Sequence, residues 1–581
     1  MKLLDELKYF EILELNRKKG LEIKEPVFNI SILSNITIHQ IKEIMELSLR
    51  EENVPAIVTI GKYDNIVQDS INIKDANVVV IFWEVCNFSE GFYYKCDLLN
   101  ENQLEEITNK IKSEIDFVIK NLSHVSLILF NKFSSLLFSH NKINKSNFEV
   151  ITNKLNLFIE EINKTNFKII EIDKIISVLS IDKSVDWRYF YSSMALYSIN
   201  FFKQYCKFVE PIFLASTGKA KKMLVLDCDN TLWKGIVGEV GLDGIQMSEH
   251  NKDGKIFAEI QTLAIYLNNN GILLGLCSKN NSTDVEDVLT SHPDMKLKNE
   301  NIVIKKINWT DKAKNLSDIA NELNIGIDSI VFLDDSPFEI NLIKNKLPNV
   351  TVLQVPNNLF EYPSFFKNNI NMFYNLSLTA EDIAKVELYK QQIIREKSKD
   401  EYANIDDYLS SLQLKMTILK NDYSIIPRMS QLSQKTNQFN LTNNRYTEID
   451  IKNFLQNELF DVFAISIEDK YGKSGIVGLI IINKDMRNFS AEIDTFLLSC
   501  RVIGRNIEFV FMDFLIGRAK KNNIKTLKSK YNVSKKNNQV SGFFDKCSFV
   551  LEEETLNFKK YSLEIKNYKP SNIKYIEVIY G

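Results

Sequence analysis

Short apolar runs recur along the first part of the chain, each followed by a polar turn and a stretch of helical spacing. Val27–Leu33, Ala56–Ile60, Asn77–Phe82, Val125–Phe130 and Lys168–Glu171 read as strands. Residues 37–50 and 101–121 carry the helical pattern between them, and Met1–Gly20 reads as one short amphipathic helix. This alternation predicts a three-layer α/β domain with a parallel sheet. Residues 186–205, DWRYFYSSMALYSINFFKQY, read as an aromatic amphipathic helix whose rings pack a core and which links this domain to the next.

The pattern then repeats. Met223–Leu226, Gly271–Leu276, Asn301–Lys305 and Ser329–Leu333 read as buried strands, with helices over Phe257–Asn269 and Asn315–Leu323. Glycines at 235, 238, 241 and 244 suit a turn-rich hairpin rather than a helix. In the last third, Leu378–Lys397 and Ile405–Leu412 read as helices and Ser433–Asn440 as a loop or a single helical turn. Phe463–Asp469, Gly475–Ile482 and Ala491–Ser499 read as strands, Ile507–Lys520 as a long helix and Asn538–Phe544 as a shorter one. The expected fold class is multi-domain α/β: a three-layer α/β domain over 1–214, a Rossmann-like core over 215–375, and a helical linker with an α+β domain over 376–581.

Composition narrows the function without naming it. A length of 581 residues exceeds one core. A formal net charge of −3 gives no global field for nucleic acid or an anionic membrane. Seven cysteines, none in a C-x-x-C pair, argue against zinc ribbons and redox dithiols and suit a reducing cytoplasm. The charged start, Met1-Lys2-Leu3-Leu4-Asp5-Glu6, is unlike a signal peptide, and no apolar run is long enough to span a bilayer. In the first domain, Ser34 follows a strand but lacks the context that activates a nucleophile, and His39 falls on a helix. A non-catalytic docking role is expected there.

The chemistry lies in the Rossmann-like core, where every strand ends in polar groups. These are Asp227-Cys228-Asp229-Asn230-Thr231, Cys277-Ser278-Lys279-Asn280 and Asp334-Asp335-Ser336-Pro337. In an open parallel sheet such ends face one crevice. Carboxylates ending buried strands need neutralising, and a divalent cation does so. Asp227 can attack a phosphoryl group, with Asp229 as acid and then base. Mg²⁺ held by Asp227, the backbone carbonyl of Asp229 and Asp334 would offset like-charge repulsion. Ser278 can bond a phosphoryl oxygen, Lys312 (in preference to Lys314) can neutralise developing charge, and Asp335 can orient the metal indirectly.

In this order, DCDNT, then CS, a Lys and DD, the segment resembles the haloacid dehalogenase superfamily. DNTLWKGIVGEVGLDGI, LCSKNN, NWTDKAKNL and NIGIDSIVFLDDSPFEI further resemble its FkbH-like branch, subfamily IIIC, the glyceryl transferase/phosphatases. Lys234 and Ser336 depart from that pattern, which usually has Gly and Asn there. The resemblance extends over about 27–565. It implies an enzyme that takes the three-carbon unit of 1,3-bisphosphoglycerate or a similar acyl phosphate, removes phosphate and loads a glyceryl group on the phosphopantetheine thiol of an acyl carrier protein in polyketide-type biosynthesis. The carrier would be supplied in trans, and the first domain would be SGNH-like and non-catalytic.

Arg501-x-x-Gly504-x-Asn506 between a strand and a helix resembles the pyrophosphate loop of Gcn5-related acyltransferases, with Asn506 in place of the usual Gly or Ala. Arg501, Gly504 and Asn506 are then the expected cofactor-binding residues. The acyl group can pass through Cys500, beside Arg501 and a helix N-terminus, through Cys228 between the two acidic residues, or directly to the carrier. Two other readings stand beside this one: a Mg²⁺-dependent small-molecule phosphatase with a non-catalytic last domain, and a carrier-docking scaffold with a vestigial site.

Overall fold

The computed structural model describes residues 2–23, 27–138, 143–376, 379–399, 401–534 and 536–580. The chain forms two compact units, Met1–Leu214 with Tyr446–Asp450, and Ala215–Arg445 with Ile451–Gly581. The α/β class expected from the alternating pattern is what the structure shows, in three separate sheets.

The first unit holds a five-stranded parallel sheet in the order Ala56–Ile60, Phe28–Ser34, Val78–Phe82, Leu127–Asn131, Phe167–Ile170. Val78–Phe82 and Leu127–Asn131 are buried at every position, as a parallel strand covered on both faces requires. The N-terminal helix is two, Lys2–Glu6 and Tyr9–Gly20, rather than one. The aromatic stretch at 186–205 also breaks. Met194 takes a left-handed conformation, φ 54°, which ends the helix Trp187–Ser193 ahead of Ile199–Ser216. Ser34 is buried, and its hydroxyl donates to the Ile36 carbonyl at 2.9 Å, closing a local turn. His39 sits exposed in the turn before the helix Ile41–Glu51 rather than on it.

The second unit contains the Rossmann-like sheet, all parallel, in the order Thr351–Gln354, Ile330–Asp334, Met223–Leu226, Leu273–Ser278, Ile302–Ile307. The strand carrying DCDNT is therefore central. The helices Gly254–Asn269, Ser282–Ser291, Lys312–Glu322 and Pro337–Lys346 follow its strands. The glycine-rich stretch closes through one antiparallel bridge, Lys234 to Gln246, around a single helical turn, Val237–Val240.

The third sheet is mixed. Its central strands Leu414–Lys420, Phe460–Asp469, Gly472–Asp485 and Ser490–Leu498 pair antiparallel. Ser490–Leu498 then pairs parallel with Thr526–Asn532 through the crossover helix Ile507–Lys521. That parallel pairing covers only Ser490–Ile493 against Thr526–Ser529. The expected helix over Leu378–Lys397 is two, Ala380–Ile383 and Lys385–Lys399, and Leu378 lies outside the described residues. The stretch Ser433–Asn440 ends a full helix, Ile426–Lys435, and adds a short strand, Phe439–Asn440. In place of one helix over Asn538–Phe544 there are two short turns, Asn538–Val540 and Phe543–Lys546. No described helix is long and apolar enough to cross a membrane.

One buried acid in the first unit sets a pH dependence. Glu84 is 5% exposed and accepts from the Tyr197 hydroxyl at 2.7 Å. Burial pushes its carboxyl from 4.5 up to about 7. The folded state therefore holds this proton more tightly than the unfolded chain. The resulting stabilisation is complete below pH 4.5 and is lost as pH rises to about 7. Glu84→Gln keeps an acceptor for Tyr197 and carries no titrating proton. The melting temperature of the wild type should fall relative to that of Glu84→Gln across this window, by the equivalent of roughly 3 kcal/mol at most. Parallel curves for the two proteins would rule out Glu84 as the group responsible.

Candidate active site

Register brings the acidic strand ends together. Leu226 pairs with Leu333, and the Asp227 amide donates to the Leu333 carbonyl at 2.9 Å. Asp227 and Asp334 thus emerge side by side at the C-terminal edge of the sheet. One carboxylate oxygen from each of Asp227, Asp334 and Asp335 falls in a group spanning no more than 4.8 Å. Lys312, the first residue of the helix Lys312–Glu322, sends Nζ to Asp227 Oδ1 and to Asp334 Oδ2, both at 2.6 Å. The helix is capped by Asp311, whose side chain accepts from the Ala313 amide at 2.8 Å. That cap fixes where Lys312 starts and therefore where its ammonium arrives.

The charges do not balance. Three carboxylates face one ammonium, a formal excess of two negative charges. Burial pushes Asp227 up to about 7 despite Lys312, with Asp334 adding to the rise. Burial also raises Asp335, and Asp334 adds to it. Burial works against the charge on Lys312, yet Asp227 and Asp334 hold its pKa above the usual lysine value. A divalent cation among the three oxygens removes the excess, and hard oxygen donors suit Mg²⁺. The residues present fit that ion. Asp335, which the sequence suggests only as an indirect helper, belongs to the cluster itself.

Asp229 points elsewhere. Its Oδ1 accepts from Trp233 Nε1 at 2.9 Å and from the Val237 amide at 3.1 Å. Its Oδ2 accepts from Asn280 Nδ2 at 2.9 Å. Its carboxylate therefore ties the hairpin to the loop after the second strand and lies outside the acidic cluster. A metal contact from Asp229 falls to its backbone. Asn230 turns the chain with φ 52° and accepts from the Gly235 amide at 3.0 Å. Ser278 Oγ accepts from Asn280 Nδ2 at 3.2 Å and lies in hydrogen-bonding reach of Asp227. Asn280 and Trp233 are the site residues that sequence reasoning missed. The LCSKNN and DNTLW strings contain them, yet nothing in spacing alone marks an amide or an indole as a carboxylate's partner.

Cys228 is fully buried among Leu224, Leu226, Leu232 and Trp233. Burial and then Asp227 push its thiol well up. Cys500 is half-exposed, with Sγ 3.7 Å from the Tyr389 hydroxyl and its carbonyl accepting from Asn324 Nδ2 at 2.7 Å. Arg501 turns inward, its NH2 3.3 Å from Glu381 Oε2. Gly504 has φ 84°, and open space surrounds the place a Cβ would take. Asn506, φ 60°, precedes the helix Ile507–Lys521 and donates to the Tyr575 hydroxyl at 2.7 Å.

No family model matches the chain, and no curated protein matches it. Among solved structures, the N-terminal part of the protein BF1531 from Bacteroides fragilis, which contains a phosphatase domain and was crystallised with Mg, is similar over 64% of this chain and 100% of its own. The identity is 24% and the TM-score 0.56, a likeness of fold. The ribosomal-protein-S18-alanine N-acetyltransferase from Escherichia coli aligns with 27% of this chain and 99% of its own at 14% identity, with a TM-score of 0.22. The spermidine/spermine N-acetyltransferase SpeG from Vibrio cholerae aligns with 27% and 96%, at 15% identity and 0.22.

Two substitutions separate the roles in the cluster. Lys312→Met leaves buried carboxylates without their cation and should cost about 3–5 kcal/mol of stability in chelator. Added Mg²⁺ should restore much of that loss. Asp334→Asn instead should weaken Mg²⁺ binding by more than about tenfold, the effect of deleting one charged oxygen ligand. Denaturation with and without Mg²⁺, and titration calorimetry, read the two effects. Equal Mg²⁺ affinity in Asp334→Asn and wild type would remove Asp334 from the ligand set.

Proposed function

We propose that this chain is a Mg²⁺-dependent phosphatase of the haloacid dehalogenase type, coupled to acyl transfer in the manner of the FkbH-like glyceryl transferase/phosphatases. One observation carries the first half. Asp227, Asp334 and Asp335 converge with Lys312 at the C-terminal edge of a parallel sheet, with an excess charge that a divalent cation offsets. Bound there, Mg²⁺ supplies charge neutralisation between nucleophile and phosphate. Lys312 occupies Oδ1 of Asp227, which leaves Oδ2 to attack phosphorus. An Asp227 O–P bond forms as the ester P–O bond breaks, and Asp229 protonates the departing oxygen. Water then attacks the aspartyl phosphate, gives its proton to Asp229 and releases phosphate. Ser278, beside Asp227, holds a phosphoryl oxygen in this reading.

The second half rests on the resemblance and on one thiol. Cys500 is half-exposed, whereas Cys228 is sealed in the core. In the proposed transfer, the Cys500 thiolate attacks the acyl carbon of 1,3-bisphosphoglycerate or a similar acyl phosphate. The C–O bond to the acyl phosphate breaks, leaving a 3-phosphoglyceryl thioester; the Asp227 site hydrolyses its remaining phosphate ester, and the glyceryl group passes to the thiol of a carrier supplied in trans, freeing Cys500. Arg501, Gly504 and Asn506 lie at the carrier-arm groove in this reading. The BF1531 fold supports the phosphatase half.

A second reading, phosphatase action alone with a non-catalytic last domain, is favoured by a different observation. Cys500 is bonded to Asn324, which lies beyond the end of the Lys312–Glu322 helix, on the side of the sheet away from Asp227. Incubation with 1,3-bisphosphoglycerate, Mg²⁺ and a holo-carrier distinguishes the two. Coupled transfer should release phosphate and add a glyceryl mass to the carrier, and Cys500→Ser should lower the mass gain by at least about 100-fold. Phosphate release with no mass gain on the carrier would leave the phosphatase alone.

A further inference from the structure

The carboxylate cluster occupies one edge of the Rossmann-like sheet. The opposite edge gathers cations. Lys222 directly precedes the strand Met223–Leu226, Lys385 opens the helix Lys385–Lys399, and Lys435 closes the helix Ile426–Lys435. With Lys221, Gln431 and Gln434 they line one small cleft that opens to solvent. Four residues of extended chain, Met223–Leu226, lie between Lys222 and Asp227, a span of about 16 Å. The cleft is therefore distinct from the phosphatase site.

Its charges leave a surplus. Arg428 and Arg501 both pair with Glu381 Oε2, at 2.8 and 3.3 Å. Lys435 pairs with Asp382 at 3.0 Å, and Lys536 pairs with Asp328. Four lysines line the cleft, Lys221, Lys222, Lys385 and Lys435, against two neighbouring carboxylates, Asp382 and Asp328, so positive charge is in excess. Two of the cations have only carbonyl partners in their described hydrogen bonds. Lys222 Nζ donates to the Lys435 carbonyl, and Lys385 Nζ donates to the Gly271 carbonyl at 2.7 Å. Neither forms an ion pair among the described residues. Arg501 is 7% exposed, and its NH1 has no hydrogen-bond partner. Burial drives the pKa of Lys222 down to about 8 and that of Lys385 well below the usual lysine range. Asp328 and Asp382 offset these two charges only from a distance, without ion pairs to them, and an anion supplied from outside would stabilise both.

We propose that this cleft binds a phosphoryl group, held by Lys222 and Lys385 with Lys435 at its wall. Its position gives that group a purpose. Tyr389 lies one helical turn beyond Lys385, and its hydroxyl is 3.7 Å from Cys500 Sγ. A molecule anchored by its phosphate on the two lysines extends toward the Cys500 thiol. The phosphodiester of a phosphopantetheine arm has this chemistry, and so does a free phosphorylated metabolite. The anion site stands whether or not acyl transfer occurs.

The test uses full-length protein in EDTA, where the metal-free carboxylate cluster repels anions. Inorganic phosphate and pantetheine 4′-phosphate are the probes, followed by titration calorimetry and by melting temperature. The wild type should bind both and melt higher in their presence. Lys222→Gln and Lys385→Gln should each weaken binding at least about tenfold. Lys385→Met, which removes a buried unpaired charge, should melt higher than wild type without phosphate and gain nothing from adding it. Pantetheine 4′-phosphate binding about tenfold tighter than phosphate identifies the arm as the source, and equal affinities identify a free phosphorylated ligand. No binding by the wild type, or lysine variants that bind like wild type, would overturn the assignment. So would binding that responds to Asp334→Asn and not to the lysines. Loss of Mg²⁺-dependent turnover alone bears on the phosphatase reading and leaves this one standing.

Discussion

The Rossmann-like domain turns on one ammonium shared by two carboxylates. Asp227, Asp334 and Lys312 come from three separate elements, and all are almost fully buried. Strand register places the two acids side by side, and the Asp311 cap sets the lysine between them. Removing Lys312 leaves two buried carboxylates without their complement, whereas removing either acid leaves the lysine paired with the other. The remaining imbalance is what makes the site a cation receptor rather than a structural salt bridge. A purely structural pair would be neutral, and this one is not.

The same sheet separates two kinds of charge. Its C-terminal edge is acidic and suits a cation followed by a phosphate. Its N-terminal edge is basic, where Lys222 enters the central strand and the helices Lys385–Lys399 and Ile426–Lys435 contribute Lys385 and Lys435. Glu381 joins the parts of this arrangement. Its carboxylate pairs with Arg428 and Arg501 and accepts from the Ile476 amide at 2.7 Å. The loop bearing Cys500 is thereby fixed to the linker helices rather than left to swing on its own sheet.

Much of this is legible in the sequence, for physical reasons. The central parallel strands are apolar on both faces, so their runs stand out, and the edge strand Ala56–Ile60 and the helix Glu101–Asn121 begin and end where the pattern says. The acidic strand ends are legible because buried carboxylates are rare. Other elements carry weaker signals. Thr526–Asn532, TLKSKYN, alternates with lysines, and Val550–Glu554 is exposed at every position, so neither reads as a buried strand. The helix Pro337–Lys346 begins with a Ser336 cap and a proline, a start signal that periodicity alone overlooks. The helix Asn147–Glu160 has a capping box between Ser146 and Glu149, also invisible to a search for apolar stripes. The break at Met194 could not be read, because nothing local demands a left-handed methionine there. The basic cleft was equally hidden, since its lysines lie far apart in the chain and each alone looks like a solvated surface charge.

The bonds at Asp229 carry a consequence for access. Its carboxylate is the knot that ties Trp233 and the Val237 amide of the hairpin to Asn280 of the next loop. In the proposed mechanism it hands a proton to the departing oxygen, and for that it has to give up at least one of those bonds. Loosening the knot also frees the hairpin that borders the crevice. In the proposed mechanism, proton delivery by Asp229 is thereby coupled to release of the hairpin that carries Trp233 and Val237.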